Sequence, residues 1–193
     1  MLDGCPHCRG SVLVDEVLVD EHDLFSLSIS LGGTIGGRDD VKSLLPLLLE
    51  RMVTSMELDP GVVLGMLPRE EWRTWPEAEQ ESVDSYLDAV WRSLLAAYPS
   101  NVGSFVDTVT FLVAVSTAES VDRFLDVWDD TLGSAADRHL ADTVNGLNFA
   151  ARGPRTLDAW LRRATVRDRL YEAFERDHDS NWADDLAQAY DLL

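Results

Sequence analysis

Val83-Asp84-Ser85-Tyr86-Leu87-Asp88-Ala89-Val90-Trp91-Arg92-Ser93-Leu94-Leu95-Ala96-Ala97-Tyr98 is the stretch that decides the fold of this chain. Its apolar residues, Val83, Tyr86, Leu87, Val90, Trp91, Leu94, Leu95 and Tyr98, recur at steps of three and four. That spacing puts all eight on one side of a long helix and turns Asp84, Asp88 and Arg92 away from it. Leu45, Leu48, Leu49, Met52 and Met56 make a second stripe of the same kind, and Val121, Phe124, Leu125, Trp128 and Leu132 a third. Trp182, Leu186, Ala189, Tyr190 and Leu193 repeat it at the end of the chain. No alternating run is long enough to found a sheet.

Helix-start signals fall near these stripes. Asp59-Pro60 reads as an N-cap followed by proline at the first helical position, where the missing N–H costs nothing. Thr74 with Glu77, and Ser116 with Glu119, have capping-box spacing. Asp39 or Asp40 is placed to cap the helix that follows Gly32-Gly33-Thr34-Ile35-Gly36-Gly37, while Gly133-Ser134 and Gly153-Pro154 mark breaks. The pattern predicts helices over 21–31, 40–56, 60–67, 76–98, 104–115, 118–132, 135–151, 156–164, 166–177 and 180–192. Short connections between them predict an all-α fold of antiparallel helix pairs, a helical-repeat-like or bundle domain over residues 21–193 preceded by an N-terminal segment, 1–20. Residues 104–115 are apolar on most sides and are expected to form the central buried helix. Residues 11–19 fit a short hairpin as well as irregular chain, because short apolar runs cannot be typed by period.

With 193 residues, 46% of them hydrophobic, the chain is long enough for one sizeable core. Sixteen basic residues stand against 35 acidic ones, a formal charge of −19, and Lys42 is the only lysine. Such a surface repels phosphate backbones, so direct nucleic-acid binding is not expected. A basic protein, or a second copy of the chain, is the expected partner, although an acidic surface also serves solubility alone. No apolar stretch reaches the roughly 20 residues that span a bilayer, and the start lacks the features of a secretion signal. The expected compartment is the cytoplasm.

Cys5-Pro6-His7-Cys8 holds both cysteines of the chain. A thioredoxin-like site needs a strand before the motif and a βαβ pattern after it, and neither is readable here. Zinc needs four ligands, and Cys5 and Cys8, even with His7 or His22, fall short unless a second chain contributes; four thiolates shared across a dimer meet the count, and the thiols are otherwise inert. The glycine-rich run at 32–37 lacks the Gly-Lys-Ser/Thr ending of a phosphate loop and reads as a linker. Of the four histidines, none forms a metal-binding helical pair. Asp20-Glu21-His22-Asp23 reads as a solvated helix start, and His139 and His178 as surface residues. No catalytic constellation is apparent, and no cofactor beyond that shared zinc is suggested.

Trp91, Trp128, Trp160 and Trp182 lie on apolar stripes and are assigned to the core. Trp72 and Trp75 flank Arg73 at a helix boundary. Two readings apply there: an exposed aromatic pair that anchors a partner through Trp72, Arg73 and Trp75, or a loop packed onto the domain.

Two segments, Arg38-Asp39-Asp40-Val41-Lys42-Ser43-Leu44-Leu45-Pro46-Leu47-Leu48-Leu49-Glu50 and Trp72-Arg73-Thr74-Trp75-Pro76, with Leu64-Gly65 and the early C-x-x-C, resemble a family of uncharacterised bacterial proteins. Those proteins typically read D-D-F-[KR]-H-F-L-P-R-L-L-E and G-W-R-T-W-P. Ser43 stands here where that pattern has histidine, and Leu47 where it has arginine. The resemblance covers about the first half of the chain, supports helices and implies no activity. The sequence therefore points to a non-enzymatic, acidic helical interaction module. Its alternatives are a metal- or redox-responsive protein using Cys5 and Cys8, and an acidic inhibitor that neutralises a toxin or mimics a nucleic acid.

Overall fold

The computed structural model describes residues 21–32, 36–146 and 154–193. Its helices are α1 (Glu21–Ser30), α2 (Arg38–Thr54), α3 (Pro60–Leu64), α4 (Met66–Arg69), α5 (Glu77–Ala96), α6 (Thr108–Ser116), α7 (Asp122–Asp130), α8 (Ser134–Gly146), α9 (Arg155–Leu161), α10 (Ala164–Asp177) and α11 (Ala183–Leu192), with a 3-10 turn at Trp72–Thr74. The described residues contain no strand, although Val102 and Phe105 form an isolated bridge, so the fold is all-α as the stripes require. Cys5, His7, Cys8 and residues 11–19 lie outside the described residues, as do the side chains of Asp20-Glu21-His22-Asp23.

Every helix foreseen from the sequence has a counterpart, but the ends are set by contacts that periodicity does not encode. The stretch at 60–67 is two short helices because Pro68 has no N–H for the carbonyl of Leu64, and the chain breaks at Gly65. Helix α2 stops at Thr54, where a loop from far along the chain caps it. Ser104 donates its N–H to the carbonyl of Met52 (2.7 Å) and its hydroxyl to that of Ser55 (3.0 Å). Gly103 makes this approach possible: its φ is +51°, and a Cβ there would lie 2.3 Å from the Met52 oxygen. Met56 therefore falls beyond α2, and Leu132 lies beyond the end of α7; they are 74% and 81% exposed instead of completing the stripes.

Capping follows the same division. Asp59 caps α3 as expected, its Oδ1 accepting from Gly61 (2.8 Å) and Val62 (3.2 Å). Asp40 closes the start of α2 by accepting the Gly37 N–H at 2.8 Å. The two expected capping boxes do not form. Thr74 donates its hydroxyl back to the Glu71 carbonyl and Ser116 to that of Val113; Glu119 is drawn off by two arginines. Helix α6 is instead capped by Asp107, which accepts the Thr110 N–H at 2.6 Å.

The core is aromatic and continuous. Trp91 on α5 stacks on Phe111 of α6 with centroids 4.9 Å apart, meets Phe124 and Trp128 of α7 edge-on, and donates its indole N–H to the Phe124 carbonyl at 2.8 Å. Helix α6 sits in the middle of the fold against α3, α5 and α8. Trp128 stacks in turn on Trp160 of α9, carrying the core toward the group formed by α8, α10 and α11. Two further residues depart from the sequence reading. His139 is buried, not on the surface: its Nε2 meets the Ala97 carbonyl at 2.9 Å and its ring lies edge-on to Tyr98. Trp182 is only half-buried, because it precedes α11 at the N-cap position and so lies off that helix's inner face.

Candidate binding groove between α2 and α5

Helices α2 and α5 bound a groove of about 660 Å³ between them. The walls come from the helical faces that the stripes define. Leu45 and Leu49 of α2, Val83 of α5 and the ring of Trp75 are buried and form its floor; Pro46, Ala78 and Ser82 are exposed at its mouth. Small side chains at Ala78 and Ser82 hold the space open. Pro46 contributes a second property: lacking an N–H, it donates no bond to the carbonyl of Lys42 one turn earlier, and its apolar ring lines the groove.

Two polar contacts tie the walls together. Tyr86 reaches across from α5 and donates its hydroxyl to the Leu49 carbonyl at 2.8 Å, and burial pushes its phenol pKa up. Lys42 pairs with Glu79 at 2.5 Å and lies over the Trp75 ring, 4.7 Å from its centre. Glu50, at the opposite end of the lining stretch of α2, is exposed and among the described residues is paired with no cation. Among the described residues, the groove is thus lined by apolar side chains, with its one ammonium already engaged.

The rings of Trp72 and Trp75 are packed onto the domain and are not an exposed aromatic pair, while Arg73 between them stays exposed. Trp72 is 1% exposed and Trp75 5%. The boundary folds inward because each ring finds a polar partner as well as a pocket. Trp75 donates its N–H to the Glu70 carbonyl at 3.0 Å, and the Arg73 guanidinium lies 3.7 Å over the Trp72 ring. Arg73 goes on to bind Asp84 (2.7 Å) and Glu119 (2.5 Å). Glu119 and Asp84 also hold Arg123, which bonds Asp88 as well. This five-residue network clamps α5, the 3-10 turn and the start of α7. Only the Glu119–Arg123 spacing of four residues was visible in the sequence. Of the three expected partner residues, Trp75 alone reaches the groove, and it does so as part of the floor.

A second network is more deeply set. Asp137 of α8 is 3% exposed and accepts from Arg169 (2.6 Å) and Arg176 (2.9 Å). Arg169 also donates to the carbonyls of Trp128 and Thr131, both at 2.6 Å, closing the end of α7. Arg176 and the hydroxyl of Ser134 hold Asp177 well below the usual carboxylate range, at about 2. His178 is exposed, as expected. Among the described residues, no group of three or more His, Cys, Asp and Glu side chains is placed to hold a metal, and no helix is long and apolar enough to cross a membrane. Compared with protein-family models, curated proteins and solved structures, the chain has no significant match in any of the three.

Proposed function

We propose that this chain is a non-enzymatic interaction module that binds a basic protein partner. The observation that carries the reading is the open, apolar groove between α2 and α5, set in a chain whose charge is −19. Internal pairing sharpens the acidic field outside. Lys42, Arg38, Arg73, Arg123, Arg162, Arg163, Arg169 and Arg176, half of the chain's basic residues, are each spent on a carboxylate. The surplus of acids is left to face solvent, where it speeds encounter with a cationic partner and disfavours acidic ones. A groove between helices is a common seat for a peptide or helix.

Affinity capture from the source cells, followed by reconstitution from purified components, tests this reading. A captured protein that forms a stoichiometric complex, weakened by salt, is the expected result. A purified chain that forms no complex with any captured protein at low salt sinks it.

A further inference from the structure

We infer that the α2–α5 groove receives the apolar face of an amphipathic helix from a partner protein, with a lysine or arginine of that helix reaching Glu50. This rests on the interaction-module reading and names the occupant. Length favours a helix. The lining stretch runs from Lys42 to Glu50 on α2, and from Ala78 to Tyr86 on α5. Eight helical steps at about 1.5 Å each make walls roughly 12 Å long. Apolar anchors at i, i+3 or i+4, and i+7 of a guest helix span about 10 Å, so two turns fill the groove.

Charge and hydrogen bonding select the guest's polar flank. Glu79 already holds Lys42, so an acidic guest would find no free cation in the groove. Glu50 is exposed at one end of the groove and is paired with no cation among the described residues, and a cationic side chain at the edge of the guest's apolar face complements it. A second copy of the chain is a poorer occupant, because it would bring another −19 of charge to the same surface.

The test uses the full chain and fluorescein-labelled peptides of about 14 residues, long enough for helix to form on binding. One has leucine along one face and lysine along the other. A permuted isomer has the same composition without the apolar face, and a third replaces lysine by glutamate. Fluorescence anisotropy should show saturable one-to-one binding of the leucine–lysine helix, with the other two at least tenfold weaker. Ala78→Trp fills the mouth of the groove and should weaken that helix at least tenfold; Glu50→Lys should weaken it several-fold at low salt. Both positions are exposed, and circular dichroism will verify that the fold is kept. Equal binding of the permuted or acidic peptide, full affinity in Ala78→Trp, or no binding by any peptide would overturn the inference. Self-association that disappears in Ala78→Trp would overturn it in favour of a second copy. A captured partner that still binds Ala78→Trp would leave the module reading standing and remove the groove from it.

Discussion

Truncating Trp91 to alanine is the most direct test of how this fold is held. The ring is fully buried and touches Phe111, Phe124 and Trp128 at centroid distances of 4.9, 6.2 and 5.3 Å. Burial of about 250 Å² at about 25 cal/mol per Å² sets an upper bound near 6 kcal/mol. Core aromatic truncations cost about 3–5 kcal/mol once partial relaxation is included. The lost indole bond adds little to that, because the Phe124 carbonyl lies within α7 and keeps its helical acceptor role. The expected loss is therefore about 4–5 kcal/mol, a large part of the roughly 5–15 kcal/mol that holds a domain folded. Urea melts followed by helical circular dichroism measure it. Trp91→Phe, which keeps a ring in the stack, should lose about 2 kcal/mol. Leu132→Ala, at a position 81% exposed, should stay within about 0.5 kcal/mol of the native protein. A Trp91→Ala loss below about 2 kcal/mol, with an unchanged denaturant slope, would refute the placement of the core around this ring.

Trp72→Ala should cost about 3–5 kcal/mol in the same melts, since the ring is 1% exposed under the Arg73 guanidinium; a loss no larger than that of Leu132→Ala would contradict the packed boundary. Asp137→Ala should cost about 3–5 kcal/mol by leaving Arg169 buried without its carboxylate, and Asp137→Leu with Arg169→Met should recover much of it; additive losses in that double-mutant cycle would show the two side chains to be uncoupled. Gly103→Ala should lower the melting temperature sharply, because its Cβ would lie 2.3 Å from the Met52 oxygen at a φ of +51°; an unchanged melt would mean that the loop does not dock on α2. The carboxyl of Asp177 titrates at about 2 in the folded chain against an ordinary 3.8, so its contribution is present above about pH 4 and is lost as pH falls toward 2. Asp177→Asn should flatten the fall in stability over that window, and an unaltered acid limb would count against the Arg176 pairing.

The sequence by itself determined the all-α class and the approximate place of each helix, because a period of 3.6 is a local property that needs no knowledge of neighbours. Trp91, Trp128 and Trp160 were legible as core for the same reason, as was the cap at Asp59, whose partners lie within three residues. What tertiary structure alone decided involves groups brought together from distant parts of the chain. The end of α2 depends on Gly103 and Ser104, about fifty residues later, so the stripe through Met56 overran. Ser116 and Glu119 had capping-box spacing, yet Ser116 ends α6, the next helix starts only at Asp122, and Arg73 and Arg123 hold the Glu119 carboxylate. His139 and Trp72 stood in polar surroundings in sequence and became buried through carbonyls and guanidinium groups that only the fold supplies. The groove is the clearest case. Pro46, Ala78 and Ser82 are ordinary in their own helices, and they enclose a space only because the fold sets α2 beside α5 with Tyr86 spanning between them.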